Sequence, residues 1–331
     1  CDPEGDPGNL DPLTIRFSTQ ESFTVWNALA TNTAGELRVG SGSEIVAAIQ
    51  TKQQVVVFTD RSVSAMQYIG PPFTFGLAEV STNTSILGQN AAVAVGDAVY
   101  WMGNDVFYRY DGNVSIIPCP VEEFVFDNVN TSQLSKVTAG SNSEFNEVWW
   151  FYPSANSETN DRYVAFNYSD NTWFFGSLDR TAWDAGGVSG FPIAASPDGN
   201  IYFQENGISD GSTNPPSPLN SFVESSGIDV GDGDQFMSVK RIIPDVGFRN
   251  STGTPLVTFT LNARTYPGSG TTQTESGNTV RTSSTPLEKY TNQIDVRLRG
   301  RSVSLRVESN EVNTQWRLGT PRIDIRPDGR R

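Results

Sequence analysis

Short bursts of β-branched and aromatic residues, each closed by a turn, recur through the first two-thirds of this sequence. DAVYWMGNDVFYRYDG at 97–112 holds two of them, stopped by Gly103-Asn104-Asp105 and by Asp111-Gly112. The same wording returns in VVVFTDRSVSAMQY at 55–68, RYVAFNYSDNTWFFG at 162–176 and SPDGNIYFQENG at 196–207. Val, Ile, Phe, Tyr and Trp favour the pleated surface of a strand, and Gly, Asn and Asp supply the positive φ of tight hairpin turns. From residue 45 the bursts group in fours. EIVAAIQ, QVVVFTD, VSAMQYIG and PPFTFG make one set, and AAVAV, AVYWMG, VFYRYDG and VSIIP a second. KVTAGS, EVWWFYPS, RYVAFNY and TWFFGS make a third; FPIAAS, NIYFQENG and a weaker following segment make the last. Four short strands at a period of roughly 40 residues is the spacing of propeller blades, each a small sheet that buries its faces against its neighbours. The aromatics are then expected to fill the layers between blades.

After about residue 220 the wording changes. MSVKRIIPDVGF, PLVTFTLNART, NQIDVRLRGRSVSLRVES and QWRLGTPRIDIRP are longer runs, with a polar loop at 266–286 between them. IDVRLRG alternates strictly, with Ile294, Val296 and Leu298 on one face and Asp295, Arg297 and Arg299 on the other. That pattern predicts an antiparallel β-sandwich with one wet face per sheet. The expected fold is therefore all-β: propeller-like blades of short antiparallel strands, then a C-terminal β-sandwich. The expected domains are an irregular N-terminal segment at 1–44, a β-propeller-like domain at 45–220 and a β-sandwich domain at 221–331. Helix is expected only as a turn or two near 132–137. The chain opens on Cys1 rather than Met, and is expected to be a fragment or processed product whose upstream sequence would complete the ring.

Chemistry is constrained by what the chain lacks. It has no histidine, which removes Ser-His-Asp and Cys-His catalysis and His-ligated zinc. Cys1 and Cys119 form no CxxC pair, and Cys119 reads as a small apolar residue. Glu122-Glu123 and Asp170 are conceivable glycosidase carboxylates, but nothing in the sequence pairs them. Ser169 to Trp173 is similar to the Asp-box turn of sialidase propellers without its glycine and spacing. The acids of 1–11 and of 224–234 (ESSGIDVGDGD) offer oxygen ligands for a cation, the second more simply read as a hinge. Trp149, Trp150, Trp173 and Trp183 suit stacking on sugars, but at blade spacing read as core. No catalytic residue, cofactor site or metal site is assigned.

Charge gives the one positive lead. The net charge is −14, yet residues 290–331 carry nine Arg against five acids. The remaining body, at −18, repels phosphates and argues against sequence-specific nucleic-acid binding. Arg297, Arg299, Arg301 and Arg306 lie in the alternating strands and are the candidate interface residues, since guanidinium groups pair bidentately with carboxylates. No run of about 18 apolar residues exists to span a membrane.

Taken in order, IRFSTQESFTVWNALATNTAG at 15–35, VVVFTDRSVSAMQYIGPPFTFG at 55–76, AVYWMGNDVFYRYDGNVSIIPCP at 98–120 and NEVWWFYPS at 146–154 resemble a family of tailed-bacteriophage virion proteins. DRYVAFNYSDNTWFFG at 161–176, IDVGDGD at 228–234, RIIPDVGF at 241–248 and WRLGTPRIDIRPDGRR at 316–331 extend the likeness. The family is similar to tail nozzle proteins (tail tubular protein B type) and phage DNA-stabilisation proteins. The resemblance implies a virion location in the tail and a homo-oligomeric, hexameric ring. Its partners would be an adaptor or portal-proximal ring on one side and distal tail or fibre proteins on the other. Such a ring helps retain the genome and then conducts it through an acidic lumen during ejection, without catalysis. The alternative is a phage adsorption protein, or a propeller that binds or cleaves host-surface glycans.

Overall fold

The computed structural model describes residues 8–266 and 281–329; Cys1, the acids before position 8 and residues 267–280 of the polar loop lie outside them. The protein is nearly all β, 47% strand and 4% helical, in several small antiparallel sheets. It divides into two compact units, Cys1–Glu205 and Asn206–Arg331.

The first unit carries the repeated phrase. The N-terminal segment, expected to be irregular, holds a hairpin of β1 (Thr14–Phe17) and β2 (Gly35–Arg38). Leu13 and Val39 pack there with Val57, which anchors the hairpin on the first blade. Blade 1 is β3 (Ile45–Gln50), β4 (Gln54–Thr59), β5 (Val63–Gly70) and β6 (Thr74–Ser81). Blade 2 is β7 (Ala92–Val95), β8 (Ala98–Met102), β9 (Phe107–Tyr110) and β10 (Val114–Ile117). A short helix, α1 (Glu122–Phe126), leads toward blade 3, formed by β11 (Thr138–Asn142), β12 (Glu147–Tyr152), β13 (Arg162–Asn167) and β14 (Thr172–Gly176). Blade 4 has three strands, β15 (Ala182–Asp184), β16 (Ile193–Ala195) and β17 (Ile201–Phe203). Its extra strand precedes FPIAAS rather than following NIYFQENG. The segment at 131–136 is a 3-10 turn.

Within every blade the strands pair in chain order. The first strands sit side by side, β3 against β7, β7 against β11 and β11 against β15. That is the propeller arrangement, with the first strand innermost. Turns between paired strands use left-handed residues where the sequence placed them, at Gly96, Gly112, Asn146, Asn171 and Gly199. At Gly112 φ is 104°, a value that a side chain resists.

The aromatics occupy the layers between blades. Phe58 of blade 1 meets Trp101 of blade 2 edge-on, with centroids 5.0 Å apart. Phe107 of blade 2 lies 4.9 Å from Trp150 and 4.7 Å from Trp173 of blade 3. Trp149 of blade 3 stacks on Trp183 of blade 4 at 5.8 Å. Each buried indole needs a partner for its N–H. Trp150 Nε1 donates to the Ala91 carbonyl at 3.1 Å, Trp173 to Pro118 at 2.9 Å and Trp183 to Ser141 at 2.9 Å, all from one blade to the preceding one or to a residue adjoining its strands. A repeated aromatic therefore contributes twice, through burial worth about 1.5–3 kcal/mol and through a bond that fixes blade registration.

The second unit is the sandwich. Its strands are β18 (Ser221–Glu224), β19 (Ile228–Asp229), β20 (Met237–Ile243), β21 (Val246–Gly247), β22 (Leu256–Arg264), β23 (Arg281–Glu288), β24 (Ile294–Gly300), β25 (Ser302–Ser309), β26 (Arg317–Leu318) and β27 (Arg322–Pro327). One sheet runs β18-β25-β22-β23, with β19 also on β25; the other runs β24-β20-β27. Val257, Phe259, Leu261, Val303, Leu305 and Val307 of the first face Met237, Val239, Ile242, Ile294, Val296 and Leu298 of the second in one core. The alternation in IDVRLRG is as expected, buried at Ile294, Val296, Leu298 and Gly300. Chain direction switches sheets across a single residue, Arg301. Gly300 is required there because a Cβ would come within 2.8 Å of the Ala263 Cβ and 3.0 Å of the Arg264 carbonyl.

Three expectations shift. The units divide at Glu205/Asn206, ahead of 220/221. The segment after Glu205 adds no blade strand; instead Ser209 Oγ is tied to Asn313, donating at 3.2 Å and accepting from its backbone N–H at 2.7 Å. Residues 224–234 are not a hinge, because β18 and β19 run along β25, with Val223 opposite Val307 and Ile228 opposite Val303. The polar loop ends at 280, since 281–288 pairs along the length of β22. Pro286 is tolerated because β23 is an edge strand.

Candidate assembly surface

The outer face of the three-stranded sheet gathers basic side chains. Strand β20 is central, and its register slips between Val239 and Arg241 against both neighbours. The bulge separates the inward Val239 and Ile242 by three positions, so consecutive Lys240 and Arg241 are both exposed. Arg241 faces Asp295 on one side and Asp324 on the other. Its Nε lies 3.4 Å from the Asp324 carboxylate, which Arg326 also approaches, at 3.6 Å. Lys240, Arg297 and Arg322 are exposed on these strands, and none has a carboxylate partner among the described residues.

The four arginines read from the sequence do not form one surface. Arg297 and Arg299 share β24. Arg299 is held in its own chain, Nε 2.6 Å from Asp328 and guanidinium 4.2 Å from the Phe236 ring. Arg301, at the corner, donates to the Asp234 carbonyl at 3.0 Å and also lies over Phe236. Arg306 belongs to the other sheet, where it meets Glu224 at 3.1 Å and Glu308 at 2.8 Å and covers Phe222 at 4.0 Å. Arg297 is the member of the set that projects outward with no ion pair among the described residues. Beside it is a hollow of about 610 Å³ bordered by Arg281, Arg297 and Arg299, with the Ser238 and Thr282 hydroxyls and a single carboxylate, Asp328. Three guanidinium groups against one carboxylate make this a place for an acidic group. Lys240, Arg241 and Arg322 were not among the candidates read from the sequence, which took only arginines between positions 297 and 306. The signal was present in the three-residue spacing of Val239 and Ile242.

Other candidates resolve into structure. Glu122 and Glu123 lie in the first turn of α1, not on a strand. Asp170 sits in the β13–β14 turn, its backbone N–H bonded to the Asn167 side chain at 3.0 Å. Trp149 and Trp150 are buried, and Trp173 and Trp183 are half-buried between blades, which is the core reading. Cys119 is half-buried, and that burial pushes its thiol up to about 11. Glu224, one of the acids offered for a cation, is engaged by Arg306. Among the described residues no cluster of three or more Cys, Asp or Glu side chains is arranged to hold a metal ion, and no helix is long and apolar enough to cross a membrane.

No protein-family model matches the chain, and no curated protein does. Among solved structures, Hsv2 from Kluyvelomyces marxianus is similar at 9% identity and a TM-score of 0.33, over 51% of this chain and 48% of its own length. A plant lectin with two metal binding sites from Cicer arietinum is similar at 11% identity and a TM-score of 0.24, over 46% of this chain and 82% of that one. Hemopexin fold protein CP4 from cow pea is similar at 13% identity and a TM-score of 0.27, over 49% and 91%.

Proposed function

We propose that this protein is a structural subunit of a bacteriophage tail, part of a nozzle or tail tubular ring that retains the genome and conducts it during ejection. It acts through interfaces with copies of itself and with adjoining tail proteins. The observation that carries this reading is the division of charge. The blade unit holds 8 basic and 24 acidic residues, −16, while the sandwich unit holds 15 basic and 13 acidic, +2. Within the sandwich the excess is displayed on one sheet face, where Lys240, Arg297 and Arg322 point outward. A surface of this kind on one subunit is complementary to the acidic blade unit of the next, and head-to-tail contact between such unlike faces forms a ring when the rotation from subunit to subunit closes. An acidic wall also suits passage of DNA, since carboxylates repel phosphates and let the duplex slide without sticking. The likeness in wording to tail nozzle proteins points the same way.

The test is charge reversal of Lys240→Glu with Arg297→Glu. Both side chains are exposed, so the monomer should keep its circular dichroism and melting temperature. Self-association, measured by analytical ultracentrifugation, should weaken, and most at low salt, where unlike charges attract most strongly. Arg299, Arg301 and Arg306 are unsuitable for the test because reversing them would break pairs inside the chain. Unchanged association in the double variant would remove this face from assembly. In particle images the reading requires a six- or twelve-fold ring on the tail axis; a peripheral trimer would favour an adsorption role.

A further inference from the structure

A second concave site lies in the blade unit, far in chemistry from the basic face. It is a cleft of about 680 Å³ between blades 1 and 2, within the roughly 300–1,000 Å³ of small-molecule sites. The β3–β4, β7–β8 and β9–β10 turns all border it. Its floor is phenolic. Tyr100 and Tyr110 are 4% and 3% exposed, and Tyr168 of blade 3 stacks on Tyr100 at 6.0 Å.

The polar groups on the walls are held by one another. Gln67 Nε2 donates to Gln54 Oε1 at 3.0 Å, and Gln54 Nε2 donates to the Tyr110 hydroxyl at 2.8 Å. Across from them Arg109 is clamped, its Nη2 2.8 Å from Asp111 Oδ2 and its guanidinium 5.9 Å from the Tyr100 ring. Arg109 Nε is enclosed and has no hydrogen-bond partner among the described residues. Asp97, at the β7–β8 turn, adds a second carboxylate at the rim.

Two carboxylates and one guanidinium give the lining a net charge of −1, which selects against phosphates, sulfates and acidic sugars. Amide, hydroxyl, guanidinium and carboxylate groups nevertheless border the cleft together, and the half-buried Tyr168 ring lies among them. A sugar hydroxyl both donates and accepts, and the C–H face of a pyranose packs on an aromatic ring. We propose that this cleft binds a neutral oligosaccharide, as a function separate from assembly through the basic sheet face.

The test uses the full chain with maltotriose, cellotriose, chitotriose and mannotriose as probes, and 3′-sialyllactose as the anionic comparison. Saturation-transfer NMR should detect at least one neutral trisaccharide, with the strongest transfer to its ring C–H protons, and calorimetry should give its affinity. Gln67→Ala with Asp97→Asn changes two exposed rim residues and should leave the melting temperature unchanged while weakening that affinity about tenfold or more. Lys240→Glu with Arg297→Glu should leave it unaltered. No transfer from any neutral probe, a preference for sialyllactose, or binding indifferent to the rim variant would each overturn the proposal.

Discussion

A single side chain can set how this protein responds to pH. Glu147 opens β12 under the Trp149 indole, whose Nε1 donates to its Oε2 at 3.0 Å. Burial raises its carboxyl, and the nearby Glu205 charge adds to this, so that it is pushed up to about 7 from 4.5. That places its titration above the ordinary carboxylate range, in a chain that has no histidine. The sign follows from linkage. At acid pH the group is protonated in both folded and unfolded chains. As pH rises from 4.5 toward 7, the unfolded chain releases the proton first, so the folded state loses stability through that window. Glu147→Gln keeps an acceptor for Trp149 and removes the charge. Its melting temperature should exceed that of the parent at about pH 8 and match it at about pH 4. An equal difference at both values would mean that packing, not ionisation, governs the site.

At the scale of elements, contact between blades depends on small residues as much as on aromatics. A Cβ on Gly140 of β11 would overlap the Trp183 indole of blade 4. Gly140→Ala should therefore cost about 1–3 kcal/mol in thermal unfolding, because the indole is pinned by its bond to Ser141 and by stacking on Trp149. A change within a few tenths of a kcal/mol would mean the blades separate without penalty. The sequence made the strands of blades 1 to 3 legible because each is a dense β-branched or aromatic run bounded by turn residues. It hid β15, whose three residues Ala182, Trp183 and Asp184 are too few to show a period. It hid α1 as well, because EEFVF reads equally as a strand until the chain around it is placed. The outward arginines of β24 were legible from alternation, but the partners of Arg299, Arg301 and Arg306 were not. Asp328, Asp234 and Glu224 lie 29, 67 and 82 residues away from the arginines they meet. The cleft between blades 1 and 2 was invisible for the same reason, since its walls come from turns that only folding brings together.

For the whole molecule, two cores predict two unfolding events. The large aromatic core belongs to the blades, and the Met237–Val307 core to the sandwich. Six of the seven tryptophans, all but Trp316, precede Glu205. Tryptophan fluorescence should thus follow the blade transition, while calorimetry records a second, optically quiet one. Limited proteolysis should cut first within 206–220, where the chain is mostly exposed and regular strands are lacking. A single coincident transition by both probes would show that the units melt as one. The corner at Gly300 and Arg301 has a mechanical consequence as well. Both β24 and β27 are edges of the three-stranded sheet, equal in ladder partners. Only β24 continues directly into the opposite sheet, and the Arg301 N–H bonds the Arg264 carbonyl there at 2.8 Å. The sandwich is in effect a laminate clamped along one margin: its layers cannot slide past each other at the clamp, and compliance accumulates toward the free margin. Amide exchange should accordingly be slower along β24 than along β27, and a load crossing the subunit would be borne by the stiff margin first.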